Sequence, residues 1–157
     1  MGPRLNVFGN ATAGTLMNHF ASASKAIKES SLPVVTQDLV ALRVSQINGC
    51  GFCVDMHSKD AYAHGEVSVR LHLVAAWREA TVFTEAERAA LELAEQGTRI
   101  ADGAGGVTDE VWANAAKHYD EDQLVALINL IALMNTFNRL NVMLQIPAGE
   151  YQPGQFD

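Results

Sequence analysis

Along most of this chain the apolar side chains recur every third or fourth residue, and no stretch shows the strict alternation or the β-branched density of a strand. A 3.6-residue period places such side chains on one face of a helix, so the chain is expected to be all-α, with about seven helices and no sheet. With 157 residues, 48% of them hydrophobic, there is enough apolar material for one core, and no linker divides the chain, so residues 1–157 are expected to form one domain.

Turn and capping signals set the expected helix limits. A first helix runs from near Ala13 to Glu29 and is stopped by Ser30-Ser31-Leu32-Pro33. Thr36 is expected to cap a second, Gln37 to Asn48, and Asn48-Gly49 to end it. A third starts at or just after Cys50 and reaches His64, where Gly65 suits the left-handed position after a helix. A fourth lies near Val67 to Glu79. Thr84 and Glu87 fit a capping box for a fifth, reaching about Ile100, before a loop of Asp102-Gly103-Ala104-Gly105-Gly106. Thr108 caps Asp109 to His118, and Asp120 with Gln123 opens a last helix that Pro147 terminates. That helix is apolar on nearly all sides, through Leu124, Ile128, Ile131, Met134, Phe137, Leu140 and Leu144, so several helices or another subunit must cover it. The tail from Ala148 onward is expected to be extended.

Eighteen acidic against 11 basic side chains give a formal charge of -7 with no basic cluster, which argues against nucleic acid or an anionic membrane as partner. Met1 to Asn10 lacks the apolar core of a signal peptide, and the most apolar stretch, Leu124 to Ile146, is interrupted by Asn129, Asn135, Asn138, Arg139 and Asn141. A cytoplasmic protein that spans no membrane is the expectation.

The two cysteines, Cys50 and Cys53, lie three residues apart and cannot staple distant segments, so their chemistry is local. At a helix start, free N–H groups and the positive end of the helix dipole stabilise a thiolate on Cys50. One turn further on, Cys53 is close enough to close a small disulfide ring. His57, four residues beyond Cys53, stacks its imidazole against that sulfur and can take its proton. A peroxide attacked by either thiolate would give a sulfenic acid that the other cysteine condenses into a disulfide; spacing alone does not say which attacks. A thiol–disulfide oxidoreductase or redox adaptor would use the same pair without peroxide, and the non-redox readings are a structural oligomer or zinc, for which Cys50, Cys53 and His57 could supply three ligands and His64 a fourth, although no second ligand pair lies at a finger-like distance. The redox reading calls for no cofactor.

The run Leu39-Val40-Ala41-Leu42-Arg43-Val44-Ser45-Gln46-Ile47-Asn48-Gly49-Cys50-Gly51-Phe52-Cys53-Val54-Asp55-Met56-His57 resembles the signature of the alkylhydroperoxidase AhpD-like branch of the carboxymuconolactone decarboxylase family. The resemblance continues through Trp77-Arg78-Glu79, Phe83-Thr84-Glu85, Glu87-Arg88-Ala89-Ala90-Leu91 and Asn138-Arg139-Leu140-Asn141-Val142, covering about residues 35–145. It implies an all-helical homo-oligomer, a trimer or hexamer, that reduces organic hydroperoxides. Cys53 would meet the peroxide, Cys50 would resolve, and His57 would serve the proton relay. A lipoyl or thioredoxin-like dithiol protein would restore the thiols. The relay glutamate of such proteins corresponds here to Asp38, one methylene shorter; it would either orient His57 or only support the helix N-terminus. Phe52 stands where a polar residue could otherwise assist, and a CxxC pair disfavours lactone decarboxylation. Arg43 is expected to pair with a carboxylate or face a subunit boundary. Trp77, Phe83, Trp112 and Tyr119 are expected as core or interface anchors, and Tyr62 as a pocket-lining residue.

Overall fold

The computed structural model of the chain describes residues 2–7, 9–103 and 105–156. Met1 and Ala104, which belong to the expectations for the N-terminus and the glycine-rich loop, lie outside them. The described residues form seven α-helices and no strand: α1 (Ala11–Lys28), α2 (Val34–Ile47), α3 (Gly51–Ala63), α4 (Ser68–Leu73), α5 (Glu85–Thr98), α6 (Asp109–Ala115) and α7 (Glu121–Leu144). A 3-10 turn, Val74–Ala76, follows α4.

Local chemistry explains most boundaries. Both capping boxes form: Thr84 Oγ1 accepts from Glu87 N at 3.2 Å while Glu87 reaches back to Thr84 N at 2.7 Å, and Asp120 with Gln123 repeats the exchange at 2.9 and 3.1 Å. Asn10 caps α1 through its side chain, so that helix starts before Ala13. The expected Thr36 cap is corrected. Helix α2 begins at Val34 behind Pro33, whose extended backbone and carbonyl, accepting from Gln37 N at 3.0 Å, open the first turn. Thr36 sits inside that turn, buried, with its hydroxyl 3.5 Å from that of Tyr119. The proline that stops one helix also starts the next, a role the sequence reading missed. Helix α7 ends before Pro147 is reached: Gln145 turns left-handed (φ 54°) and Ile146 N donates to Asn141 O at 3.1 Å.

Helix α2 is the hub, touching α3, α5 and α7. One side buries Val40, Ala41 and Val44 against Ala90, Leu93, Leu127, Leu130 and Met134; another buries Leu39 and Leu42 against Ala61, Val74, Trp77 and Leu91. Helix α7 is long and apolar enough to cross a membrane by length and composition, yet it packs on α1, α2, α3 and α5 and leaves Val125, Val142 and Met143 exposed. Trp77, Phe83 and Tyr119 are buried, as expected of anchors, whereas Trp112 is 43% exposed. Arg43 finds its carboxylate in Glu95, which also accepts from Trp77 Nε1 at 3.0 Å and from Arg78. Burial opposes the charge on Glu95, but the donors Arg78, Trp77 and Arg43 outweigh it and hold the carboxyl below its usual range.

Leu127, fully buried where α7 meets α2, tests this packing. Leu127→Ala should cost about 2–5 kcal/mol of stability, read as a lower urea midpoint with an unchanged slope.

Candidate active site

The turn between α2 and α3 is pinned by amides from α7. Asn48 Nδ2 donates to Asn135 Oδ1 at 3.0 Å and to Asn138 Oδ1 at 2.9 Å, and Asn138 Nδ2 donates to Ser45 Oγ at 3.0 Å. Ser45 and Asn138 are fully buried, so the bond between them forms where no water competes, while the two from Asn48 are partly buried. Gly49 takes the left-handed conformation, φ 65°, that a side chain would strain, and Cys50 N then reaches Ser45 O at 3.1 Å. Ser45 holds this turn through its carbonyl and Asn48 by gripping α7, while Gln46 Oε1 is buried without a hydrogen-bond partner among the described residues.

Cys50 is the N-cap of α3, and its Sγ accepts from Cys53 N at 3.3 Å. The two sulfurs are joined in a disulfide, and both residues are 1% exposed. Cys53 Sγ has a second neighbour, the Asn141 Nδ2 donor at 3.3 Å. A small open pocket of about 200 Å³ leads to this point, lined by Cys50, Gly51, Phe52, Asn141 and Val142 among others; Cys53 is not part of its wall. In the sequence Asn141 stands out only as a polar interruption and as part of the run that carries the family resemblance, with no role at the site. The missed signal is the spacing of Asn135, Asn138 and Asn141, three residues apart on one face of α7.

His57 lies one turn beyond Cys53 on α3 and makes no side-chain hydrogen bond among the described residues. Desolvation, with a smaller push from the positive charge of Lys28, lowers its pKa to about 4, so the imidazole is neutral at pH 7. Asp38 bonds elsewhere. Its carboxylate lies 2.8 Å from His64 Nδ1, at the far end of α3 and about 10 Å of helix beyond His57. Burial raises the Asp38 pKa, and Asp60 and Glu66 add to the rise against the pull of His64.

The tail is a strap rather than a free extended segment. Gly149 N donates to Asp55 Oδ2 at 2.8 Å, Lys59 Nζ to Tyr151 O at 2.9 Å, and the Tyr151 hydroxyl to Asp60 at 2.9 Å. Phe52, Tyr151 and Phe156 form an aromatic cluster over the start of α3. Burial and the Asp60 carboxylate push the Tyr151 hydroxyl up to about 12. Tyr62 is 64% exposed and lines a second pocket with Gln46, Ser58, Lys59 and His72. Among the described residues no group of three or more His, Cys, Asp or Glu side chains is placed to hold a metal ion; of the four ligands weighed for zinc, Cys50 and Cys53 bond each other and His64 bonds Asp38.

The sequence profile of the carboxymuconolactone decarboxylase family matches residues 12–96. The chain belongs to that family. It is 38% identical over 142 residues to the uncharacterized protein YdfG of Bacillus subtilis, covering 90% of this chain and 94% of that protein. A crystal structure of a protein of unknown function from Agrobacterium tumefaciens, suggested to be the antioxidant defence protein AhpD, superposes with a TM-score of 0.84 at 30% identity, over 94% of this chain and 100% of that one. An uncharacterized peroxidase-related protein from a Silicibacter species shares the fold, with a TM-score of 0.78 at 19% identity, over 92% of this chain and 75% of that one. The fold is therefore AhpD-like, in a family whose members include enzymes.

The neutral His57 has a consequence for stability. Because its folded pKa lies below the ordinary 6.5, the unfolded chain takes up a proton between pH 6.5 and about 4 that the folded chain refuses. Stability should be fully present above pH 6.5 and fall as the pH drops through that window. Urea melts at pH 7.5 and 5 should show the loss in the wild type and a smaller one in His57→Gln.

Proposed function

We propose that this protein is a thiol-dependent peroxidase acting on organic hydroperoxides. The observation that carries the reading is the Cys50–Cys53 pair at the start of α3, with a neutral imidazole one turn further on. In the reduced protein His57 takes the proton of the Cys53 thiol, and the thiolate attacks an oxygen of the peroxide bond. That bond breaks, the alkoxide leaves with a proton as an alcohol, and Cys53 becomes a sulfenic acid. Cys50 attacks the Cys53 sulfur, water departs, and the disulfide forms. A dithiol protein of lipoyl or thioredoxin-like type returns two electrons and two protons. Asp38, bonded to His64, sits at one remove from this relay. Assembly as a homo-oligomer in the cytoplasm belongs to the same proposal.

A second reading is thiol–disulfide exchange without peroxide. It is favoured by one observation: Cys50, not Cys53, lines the open pocket. Free-thiol counts on reduced protein before and after one equivalent of cumene hydroperoxide separate the two. Rapid loss of both thiols, abolished in Cys53→Ser, is expected of the peroxidase; survival of both thiols would overturn it and leave exchange. In the peroxidase, His57→Gln should lower the rate of thiol loss about 10²- to 10³-fold, and Asp38→Asn by less than about threefold.

A further inference from the structure

The proposed chemistry leaves a negative charge on Cys53 twice, once before peroxide attack and once when the disulfide is reduced. The protein must stabilise that charge at a residue that is 1% exposed, where water supplies little. The helix start is already engaged, since the N–H of Cys53 points at the sulfur of Cys50. His57, the titratable neighbour on α3, is neutral until it takes the Cys53 proton and feels Lys28 from the end of α1, so it brings no positive charge to Cys53 when the disulfide is reduced. The donor that reaches Cys53 Sγ from the packed neighbour is Asn141 Nδ2, at 3.3 Å.

We propose that Asn141 is a catalytic residue that holds the Cys53 sulfur as a thiolate, by donating its amide N–H to the atom on which charge develops. The donor is in place before any charge appears. Asn141 is fixed by the capped end of α7, where its carbonyl accepts from Ile146 N, and one turn earlier Asn138 is locked into the buried network with Ser45 and Asn48. A hydrogen bond to a neutral disulfide sulfur is weak and one to a thiolate is charge-assisted, so the contact strengthens as the charge forms and favours that state. It also gives the disulfide a direction. An incoming thiolate enters the pocket lined by Cys50 and Asn141, its sulfur bonds to Cys50 Sγ, the sulfur–sulfur bond breaks, and the electron pair passes to Cys53 Sγ under the amide. A second thiol of the reductant then attacks the mixed disulfide and frees Cys50.

This proposal deepens the peroxidase reading but is tested without peroxide, so either can fail alone. In a Cys50→Ser background, where serine still caps α3, the thiolate absorbance of Cys53 near 240 nm is titrated against pH. Asn141→Leu should raise the midpoint by roughly one pH unit, a tenfold loss of thiolate at a fixed pH below it, and Asn141→Asp by at least as much. In the protein with both cysteines, reduction of the disulfide by dithiothreitol should slow about 3- to 10-fold in Asn141→Leu, as expected for a poorer leaving group. Asn141→Gln, which keeps the amide, should recover part of both effects. Variants that keep the helical circular dichroism spectrum while the midpoint and the reduction rate stay at wild-type values would overturn the assignment.

Discussion

A short chain of side-chain amides centred on the buried Asn138 decides where the chemistry of this protein can occur. Asn138 on α7 gives its oxygen to Asn48 and its nitrogen to Ser45, joining the end of α2 to α7 at the residue where the chain must reverse into α3. Buried polar groups are costly unless every donor and acceptor is used, so the arrangement tolerates one register between these helices and penalises its neighbours. The rest follows from that register: Gly49 turns left-handed, Cys50 caps α3, and Cys53 arrives under Asn141.

Electrostatics at the site come mainly from neutral groups. The fully charged clusters lie elsewhere, with Glu95 held by Arg43 and Arg78, and Arg70 by Glu66 and Glu87, where they tie the middle helices together. Around the sulfurs the structure places a helix start, an amide and an uncharged imidazole. Such dipoles act at short range and are little weakened by salt, in contrast to exposed ion pairs.

The parts of the fold legible in the sequence are those with local causes. The two capping boxes, the stop at Gly65 and the apolar period of α2, α5 and α7 each declare themselves within a few residues, and the cysteine pair declared its own helix start. What was missed depends on partners far along the chain. Thr36 looked like a cap because the helix-starting role of Pro33 was hidden by its role as a stop. For Asp38 the sequence offers two roles, orienting His57 or supporting the helix start, and does not show His64, which the packing of α3 on α2 brings to 2.8 Å from it. Asn141 lies 88 residues from the sulfur it touches, and its meaning emerges only with Asn135 and Asn138 as a stripe facing the turn.

The strap over α3 also bears on how the protein is made. The dithiol helix is complete by Ala63, yet the amide above Cys53 and the Gly149 and Tyr151 contacts with Asp55, Lys59 and Asp60 come from residues 141 to 151. A ribosome therefore releases both cysteines long before it supplies their cover. During that interval the thiols are open to any oxidant or thiol reagent nearby, so the protection this site enjoys is a property of the finished chain.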